Sequence, residues 1–354
     1  MTQPNLNSAA ALTKKGQEIA STASENLLDS NPEIKKWFTE NPIGKWEEYF
    51  VDRVRELAQS VSAGDPQIFI AQIQWARKAM SSRGQNTEYI NATLDSLRMA
   101  VQTVIPSELA LPVMDCLDEA SGAYFSSTSS NWDSELDPGL PFDRLALHYV
   151  QMVVAGNVWP GMQIVLDALQ EGYSVKDLYL RVLLPAQAEV GRLWHLNEVS
   201  IAEEHLVTST TQRLMAVLAS HASRKSDRGY TVVATAVAGN AHDIGIRTIA
   251  YLLEFDGWKT IFLGSDMPRS DMPVAAKLYE ADLVLLSIAL STQIKALKQT
   301  IDEIRALSGS SVKIIIGGNG LKDTPSLWKD LGVNGYAAGV DEALQLCLEI
   351  VSQA

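Results

Sequence analysis

One histidine, His242, stands in the loop Gly239-Asn-Ala-His-Asp-Ile-Gly245. A β-branched run (YTVVATAVA) precedes the loop, and a helical apolar pattern ending at Gly257 follows it. An imidazole there is a ready metal ligand. Its second nitrogen is free for a neighbour, and Asn240 and Asp243 are near enough in sequence to be that neighbour. Gly239 and Gly245 free the backbone for close approach to a ligand. The loop is not G-x-G-x-x-G, so a dinucleotide fits it poorly. The plainer alternative is a solvent-exposed loop histidine. A second concentration of chemistry lies in GRLWHLNEVSIAEEHLVTST, which holds Trp194, His195, Glu204 and His205. Taken singly, these also suit a helix-loop-helix with a core tryptophan and surface histidines.

The elements that must position these residues follow from hydrophobic period. From Gly229 onward the strand-like runs YTVVATAV, KTIFLG, DLVLLSIAL, VKIIIGG and GYAAG alternate with helical ones. That alternation predicts a flavodoxin-like, doubly wound parallel sheet of five strands over 229–354. Ligands on such sheets sit beyond the carboxyl ends of the strands, at the switch point beside the first strand. His242 falls there, as do Ser287 and the pair Gly317-Gly318 at the ends of the third and fourth strands. Before the sheet, helices are predicted near 143–156, 159–170, 175–194 and 201–221. Ser174–Asp177 (SVKD) and Ser200–Glu203 (SIAE) read as capping boxes, and short turns join the four helices into a bundle over 143–223. Residues 31–125 are helical throughout and predict an N-terminal all-α domain. Residues 1–30 read as a loose or helical arm, and the Ser-, Asp-, Pro- and Gly-containing 126–142 as a linker. The fold class is thus α and α/β.

Composition narrows the function. The 354 residues carry a formal charge of −13, which argues against direct nucleic-acid binding. Cys116 and Cys347 give neither a disulfide framework nor a CxxC metal pair. No apolar run is long enough to span a membrane, and the first residues lack an apolar signal core, so the expected location is the cytoplasm.

The loop resembles the signature of cobalamin-binding domains, Asp-x-His-x-x-Gly followed by Ser-x-Leu and Gly-Gly. This chain has Asn240-Ala-His242-Asp243-Ile-Gly245, then Ser287-Ile-Ala-Leu290 with the leucine one place late, then Gly317-Gly318. The resemblance implies that His242 is the lower axial ligand of cobalt. It implies that the vitamin's own base slots into a pocket between the first and third strands, lined by Ser287 and the two glycines. Asn240 stands where the family usually has a carboxylate, an amide that orients the imidazole without taking its proton. The preceding bundle resembles the helical cap of such proteins. Trp194-His195 with Glu204-His205, eleven residues from Trp194 to His205, resembles the cap of CarH-type adenosylcobalamin photoreceptors. There the resemblance implies that Trp194 and His205 border the adenosyl group, that Glu204 hydrogen-bonds it, and that His195 ligates cobalt from above after light.

The N-terminal block departs from CarH-type repressors, because it has no basic recognition helix. A related group, the photocobilins, joins the same module to a bilin-binding domain. That resemblance implies biliverdin as a second chromophore, for which Trp46, Tyr49, Phe50, Arg53, Arg55, Trp75, Arg77, Lys78 and Arg98 offer slot and cations and Cys116 a tether; the alternative is a plain helical interaction domain whose aromatics, and Cys116, are core. All five histidines lie beyond residue 147, so a histidine-ligated haem in this block is excluded unless the bundle supplies the ligand. The expectation is a sensor rather than an enzyme. It would change assembly with light as a homo-oligomer and act on a further protein partner. The alternatives are a corrinoid methyl carrier serving methyltransferases and a cobalamin-responsive regulator without photochemistry.

Overall fold

The hydrophobic period changes at Gly229, and the architecture changes there too. The computed structural model describes residues 3–37, 41–82, 87–126, 134–309, 311–322 and 327–352. Two units partition the chain, Met1–Ser130 and Asn131–Ala354.

In the first unit, α1 (Gln3–Ser30), α2 (Pro42–Ala63), α3 (Gln67–Ser82), α4 (Tyr89–Val104) and α5 (Ser107–Ser126) enclose one apolar core. The reading of residues 1–30 as an arm is corrected here. Leu12, Ile19, Ala20, Ala23 and Leu27 of α1 are fully buried, and α1 packs against α2, α4 and α5. Its stripe of Ala and Ser lacks the bulky periodicity that marks a core helix, yet small side chains let a neighbouring backbone approach closely. On α2, Asn41 caps the start by accepting from the Gly44 N–H, Pro42 occupies the first turn, and Gly64 closes the end at φ 69°.

This unit buries an ion pair. Arg53 Nη2 lies 2.7 Å from Glu56 Oε1, with both side chains more than nine-tenths buried. Glu56 Oε2 and Arg53 Nε have no hydrogen-bond partner among the described residues. Burial outweighs the attraction of Arg53 and pushes the Glu56 carboxyl up to about 7.

The second unit opens with a bundle of α6 (Pro141–Val154), α7 (Val158–Gln170), a third helix and α10 (Ile201–Ala219). The third helix comprises α8 (Val175–Leu178), a π-helical turn (Tyr179–Leu183) and α9 (Leu184–His195). Pro185 has no N–H for the Arg181 carbonyl, and the helix widens there, with Leu184 N–H donating to Tyr179 five residues back. Ser200 forms the expected reciprocal capping box with Glu203. Ser174 caps α8 by accepting from the Asp177 N–H. Of the expected linker, 127–133 lies outside the described residues. Ser134 donates to Glu189 of α9 at 3.0 Å, and Leu136 packs on the bundle core.

The sheet follows. Strands β1 (Thr231–Ala236), β2 (Lys259–Phe262), β3 (Leu283–Ser287), β4 (Lys313–Gly317) and β5 (Gly335–Ala337) lie in the order β2-β1-β3-β4-β5, all parallel. Helices α11 (Ile244–Phe255), α12 (Met272–Leu278), α13 (Ile294–Ser308) and α14 (Val340–Ser352) connect and cover them. This is the flavodoxin-like order expected. Helix α11 is apolar on two sides. Ile246, Ala250 and Leu253 join the sheet core, while Ile244, Leu252 and Phe255 join the bundle core. No described helix is long and apolar enough to cross a membrane.

The buried pair gives a first prediction. Glu56 binds its proton more tightly in the folded state than at its ordinary value of 4.5. Its contribution to stability is therefore complete below about pH 4.5, is lost between there and about 7, and is constant above, on the order of 3 kcal/mol in all. In thermal melts of the full chain, Glu56→Gln should gain little over wild type near pH 5 and most near pH 8. An equal difference at both pH values would remove the buried-charge account.

Candidate functional site

Strand register sets the floor of the site. Ala236 pairs with Ser287, Ser287 with Gly317, and Gly317 with Ala337, so one row of small residues crosses the carboxyl end of the sheet. Behind that row lies a cavity of about 170 Å³ between β3, β4 and β5 and the helices α11 and α14. Leu286, Ser287, Gly317, Gly318, Ala337 and Gly245 are among the residues lining it. No residue of β1 lines it; its walls are β3, β4 and β5 together with α14 and α11, the helix that follows β1. The space exists where side chains are smallest, at β4 and β5. Gly318 is obligatory: its φ is +104°, and a Cβ there would sit 2.1 Å from the Ile288 carbonyl oxygen. A Cβ on Gly245 would meet nothing within 4 Å. Among the described residues the Ser287 hydroxyl makes no hydrogen bond, so it remains available to the cavity.

The His242 loop is braced from three directions. Gly239 N–H donates to Asp266 Oδ1 at 2.7 Å, Gln293 Nε2 donates to the Gly239 carbonyl at 2.7 Å, and Val237 N–H donates to the Ser287 carbonyl at 3.1 Å. Asn240 is completely buried. Its Nδ2 donates to the Ser287 carbonyl at 3.0 Å, and its Oδ1 accepts the His242 backbone N–H at 3.1 Å. The amide therefore fixes the main chain and not the imidazole, which corrects the expected ring-orienting role. The ring of His242 is exposed and has no hydrogen-bond partner among the described residues.

Asp243 does not serve the imidazole either. Only 2% exposed, it accepts from Gln212 Nε2 of α10 at 2.8 Å and from Arg247 Nη2 at 2.6 Å. The Arg247 guanidinium lies 4.7 Å from the Phe262 ring centre. Gln212 and Arg247 were not legible from the motif. Their signal was spacing: Gln212 lies eight residues from Glu204 on one helix, and Arg247 four from Asp243.

In the bundle, the Trp194 and His195 rings lie 4.9 Å apart at the end of α9, both half-buried. Glu204 Oε2 meets His205 Nδ1 at 2.5 Å, and Glu204 Oε1 accepts from the Thr208 hydroxyl at 2.8 Å. Thr208 is also 2.9 Å from Gln187 Oε1. Gln187 Nε2 donates to Thr211 at 2.8 Å, and Thr211 meets Tyr149 Oη at 2.8 Å. A polar chain thus runs through the bundle interior from Glu204 to Tyr149. The His205 side chain is 76% exposed, so it stands outside this chain and pairs with its own neighbour. Leu290 is 49% exposed and does not line the cavity. Leu290 lies three residues past the end of β3, just before a short 3-10 turn.

Several of the aromatic and basic residues offered for a bilin are already engaged within the first unit. Trp46 and Phe50 fill the first unit's core, Arg53 pairs with Glu56, Arg55 with Asp52 and Arg98 with Asp118. Tyr49 and Arg77 are half-buried, and the side chains of Trp75 and Lys78 lie outside the description. Burial pushes the Cys116 thiol up to about 11, which leaves it protonated and a poor nucleophile for a tether.

A parallel sheet with one exposed imidazole at its switch point and a narrow apolar slot beyond β4 defines the class of corrinoid-binding modules. Comparison with known proteins agrees. Residues 230–345 match the family model described as B12 binding domain, and residues 147–219 match a second B12 binding domain model. The second unit is a cobalamin-binding module. Over 218 residues the chain is 27% identical to monomethylamine corrinoid protein 1 of Methanosarcina acetivorans, covering 59% of this chain and 97% of that protein. It is 24% identical over 183 residues to the HTH-type transcriptional repressor CarH of Myxococcus xanthus, covering 51% of this chain and 60% of that protein. The solved structure of the Methanosarcina barkeri monomethylamine corrinoid protein shares the fold, with a TM-score of 0.51 and 23% identity over 60% of this chain and all of that one.

The residues fit such a cofactor. The His242 ring is uncommitted, and the glycine-lined cavity leaves room for a nucleotide tail. Because a Cβ at Gly245 meets no atom within 4 Å, a larger side chain there should enter that room without a backbone clash. Gly245→Leu should therefore melt within a few degrees of wild type and bind cobalamin at least about tenfold more weakly, while binding of cobinamide, the ring without its nucleotide tail, is spared. Isothermal titration with both ligands checks this. Equal weakening of the two would place the tail elsewhere.

Proposed function

We propose that this protein is a cobalamin-dependent light sensor that carries adenosylcobalamin and changes conformation or assembly when illuminated. The observation that carries the reading is the constellation in the bundle: Trp194 against His195, and Glu204 tied through Thr208 and Gln187 to Thr211 and Tyr149. In the bound state adenosylcobalamin supplies a cobalt–carbon bond that visible light breaks. His242 would hold the metal from the sheet side, and Ser287, Gly317 and Gly318 would hold the tail. Trp194 would enclose the upper group, and Glu204 would accept its hydrogen bonds. His195 would supply a second nitrogen to the metal in the lit state. Its movement would disturb the carboxyl end of α9, a helix that enters through the π-helical turn at Tyr179–Leu183. Light would then shift the balance between two bundle packings, and a homo-oligomer or a partner protein would read the shift.

Biliverdin as a second chromophore is an extension of this proposal. It rests on the aromatic run of α2, with Trp46, Tyr49 and Phe50 mutually in contact. Protein made with biliverdin in excess tests it: a far-red band that travels with the chain supports the extension, and a colourless first unit removes it.

A second reading, a methyl-carrying corrinoid protein, is favoured by one observation: the match spans 97% of a monomethylamine corrinoid protein. Light-dependent assembly separates the two. As a light sensor, protein loaded with adenosylcobalamin should bleach irreversibly under green light. Its hydrodynamic size should change in scattering measurements, and His195→Ala should bleach but fail to hold the lit assembly. No change of hydrodynamic size under light, together with methylation of the bound corrinoid in the dark, would favour the carrier.

A further inference from the structure

We infer that Gln212 is a positioning residue for the His242 loop. By holding Asp243 it ties the setting of bundle helix α10 to the imidazole offered to cobalt. The inference rests on the reading of His242 as the axial ligand and adds a residue to it from a different element.

Gln212 lies in the bundle and Asp243 immediately follows His242, so their 2.8 Å hydrogen bond spans the two halves of the second unit. Asp243 is 2% exposed and starts α11, and its other carboxylate oxygen is taken by Arg247 at 2.6 Å. With both oxygens committed, the carboxylate has one orientation. A buried carboxylate that loses one donor must either turn toward the other or admit water, and either response moves the backbone that carries His242. The remaining groups around it do not compensate. Arg247 Nε is buried without a hydrogen-bond partner among the described residues, and its guanidinium is committed to Asp243 and the Phe262 face.

The same contact has a second end. Glu204, Thr208 and Gln212 recur every fourth residue and share one face of α10. Thr208 already bonds Glu204. One helical stripe therefore carries both the carboxylate assigned to the upper group and the amide that holds the loop of the lower ligand. A shift of α10 that follows a change at Glu204 is delivered to Asp243 by a rigid helix.

The experiment uses the full chain loaded with cobinamide, which has no base of its own and so leaves His242 as the axial nitrogen. In the reduced cobalt(II) form, electron paramagnetic resonance counts the share of cobalt split by one axial nitrogen. Gln212→Ala should lower the ratio of split to unsplit cobalt about tenfold, the effect expected for a lost hydrogen bond to a buried charge, and weaken cobinamide binding in parallel. The paired exchange Gln212→Glu with Asp243→Asn keeps a hydrogen bond of reversed direction and should restore most of the splitting. Gln212→Asn, whose amide is too short to reach, gives the same reading should the alanine variant fold poorly. Splitting unchanged in Gln212→Ala but absent in His242→Ala overturns the positioning role alone. Splitting retained in His242→Ala overturns the axial-ligand reading instead.

Discussion

The second unit depends on one helix being buried on two sides. Helix α11 gives Ile246, Ala250 and Leu253 to the sheet and Ile244, Leu252 and Phe255 to the bundle. Tyr251 and Phe255 extend it toward Tyr179, whose ring lies about 6 Å from each and whose hydroxyl donates to the Met215 carbonyl. Each of these large side chains contributes roughly 1.5–3 kcal/mol by leaving water. The bundle and the sheet therefore do not pack as separate bodies. Helix α11 starts at the residue after Asp243, so whatever fixes the helix also fixes the entry to the imidazole loop.

Around that entry the chain spends polar groups on rigidity and leaves the reactive group free. Asn240, Asp266, Gln293 and the Ser287 carbonyl all act on the loop backbone. The His242 ring receives none of these bonds. A ligand held this way is aimed by its main chain rather than by a partner on its second nitrogen, and the imidazole keeps its full donor capacity for a metal. The bundle follows the opposite rule. Its polar residues bond one another in a chain from Glu204 to Tyr149, so a disturbance at one end is felt at the other.

The first unit solves a different problem. Its core draws on α1 to α5, one of them rich in Ala and Ser, and it tolerates a buried Arg53–Glu56 pair whose Arg53 Nε and Glu56 Oε2 lack hydrogen-bond partners among the described residues. A buried pair with unmet hydrogen bonds costs stability relative to an apolar substitute. The aromatic residues of α2 pack on one another, Trp46 against Tyr49 at 5.3 Å and Tyr49 against Phe50 at 5.3 Å.

The sequence alone determined the period-2 and period-3.6 runs, and with them the bundle, the five parallel strands and the place of His242, Ser287 and Gly317-Gly318 at the carboxyl ends. These are local signals: alternation, caps and glycines where backbone must come close. Tertiary structure decided what those signals do not encode. It placed the cavity against β3, β4 and β5, because strand order sets which small residues line up. It turned Asn240 onto the backbone and Asp243 onto Gln212, because a side chain's partner depends on which helix packs above it. It made residues 3–30 a core helix, because small residues bury well only when a neighbour approaches closely. Pairings between residues far apart in the chain exist only once α10, α11 and the sheet have met, and no spacing along the sequence records that meeting.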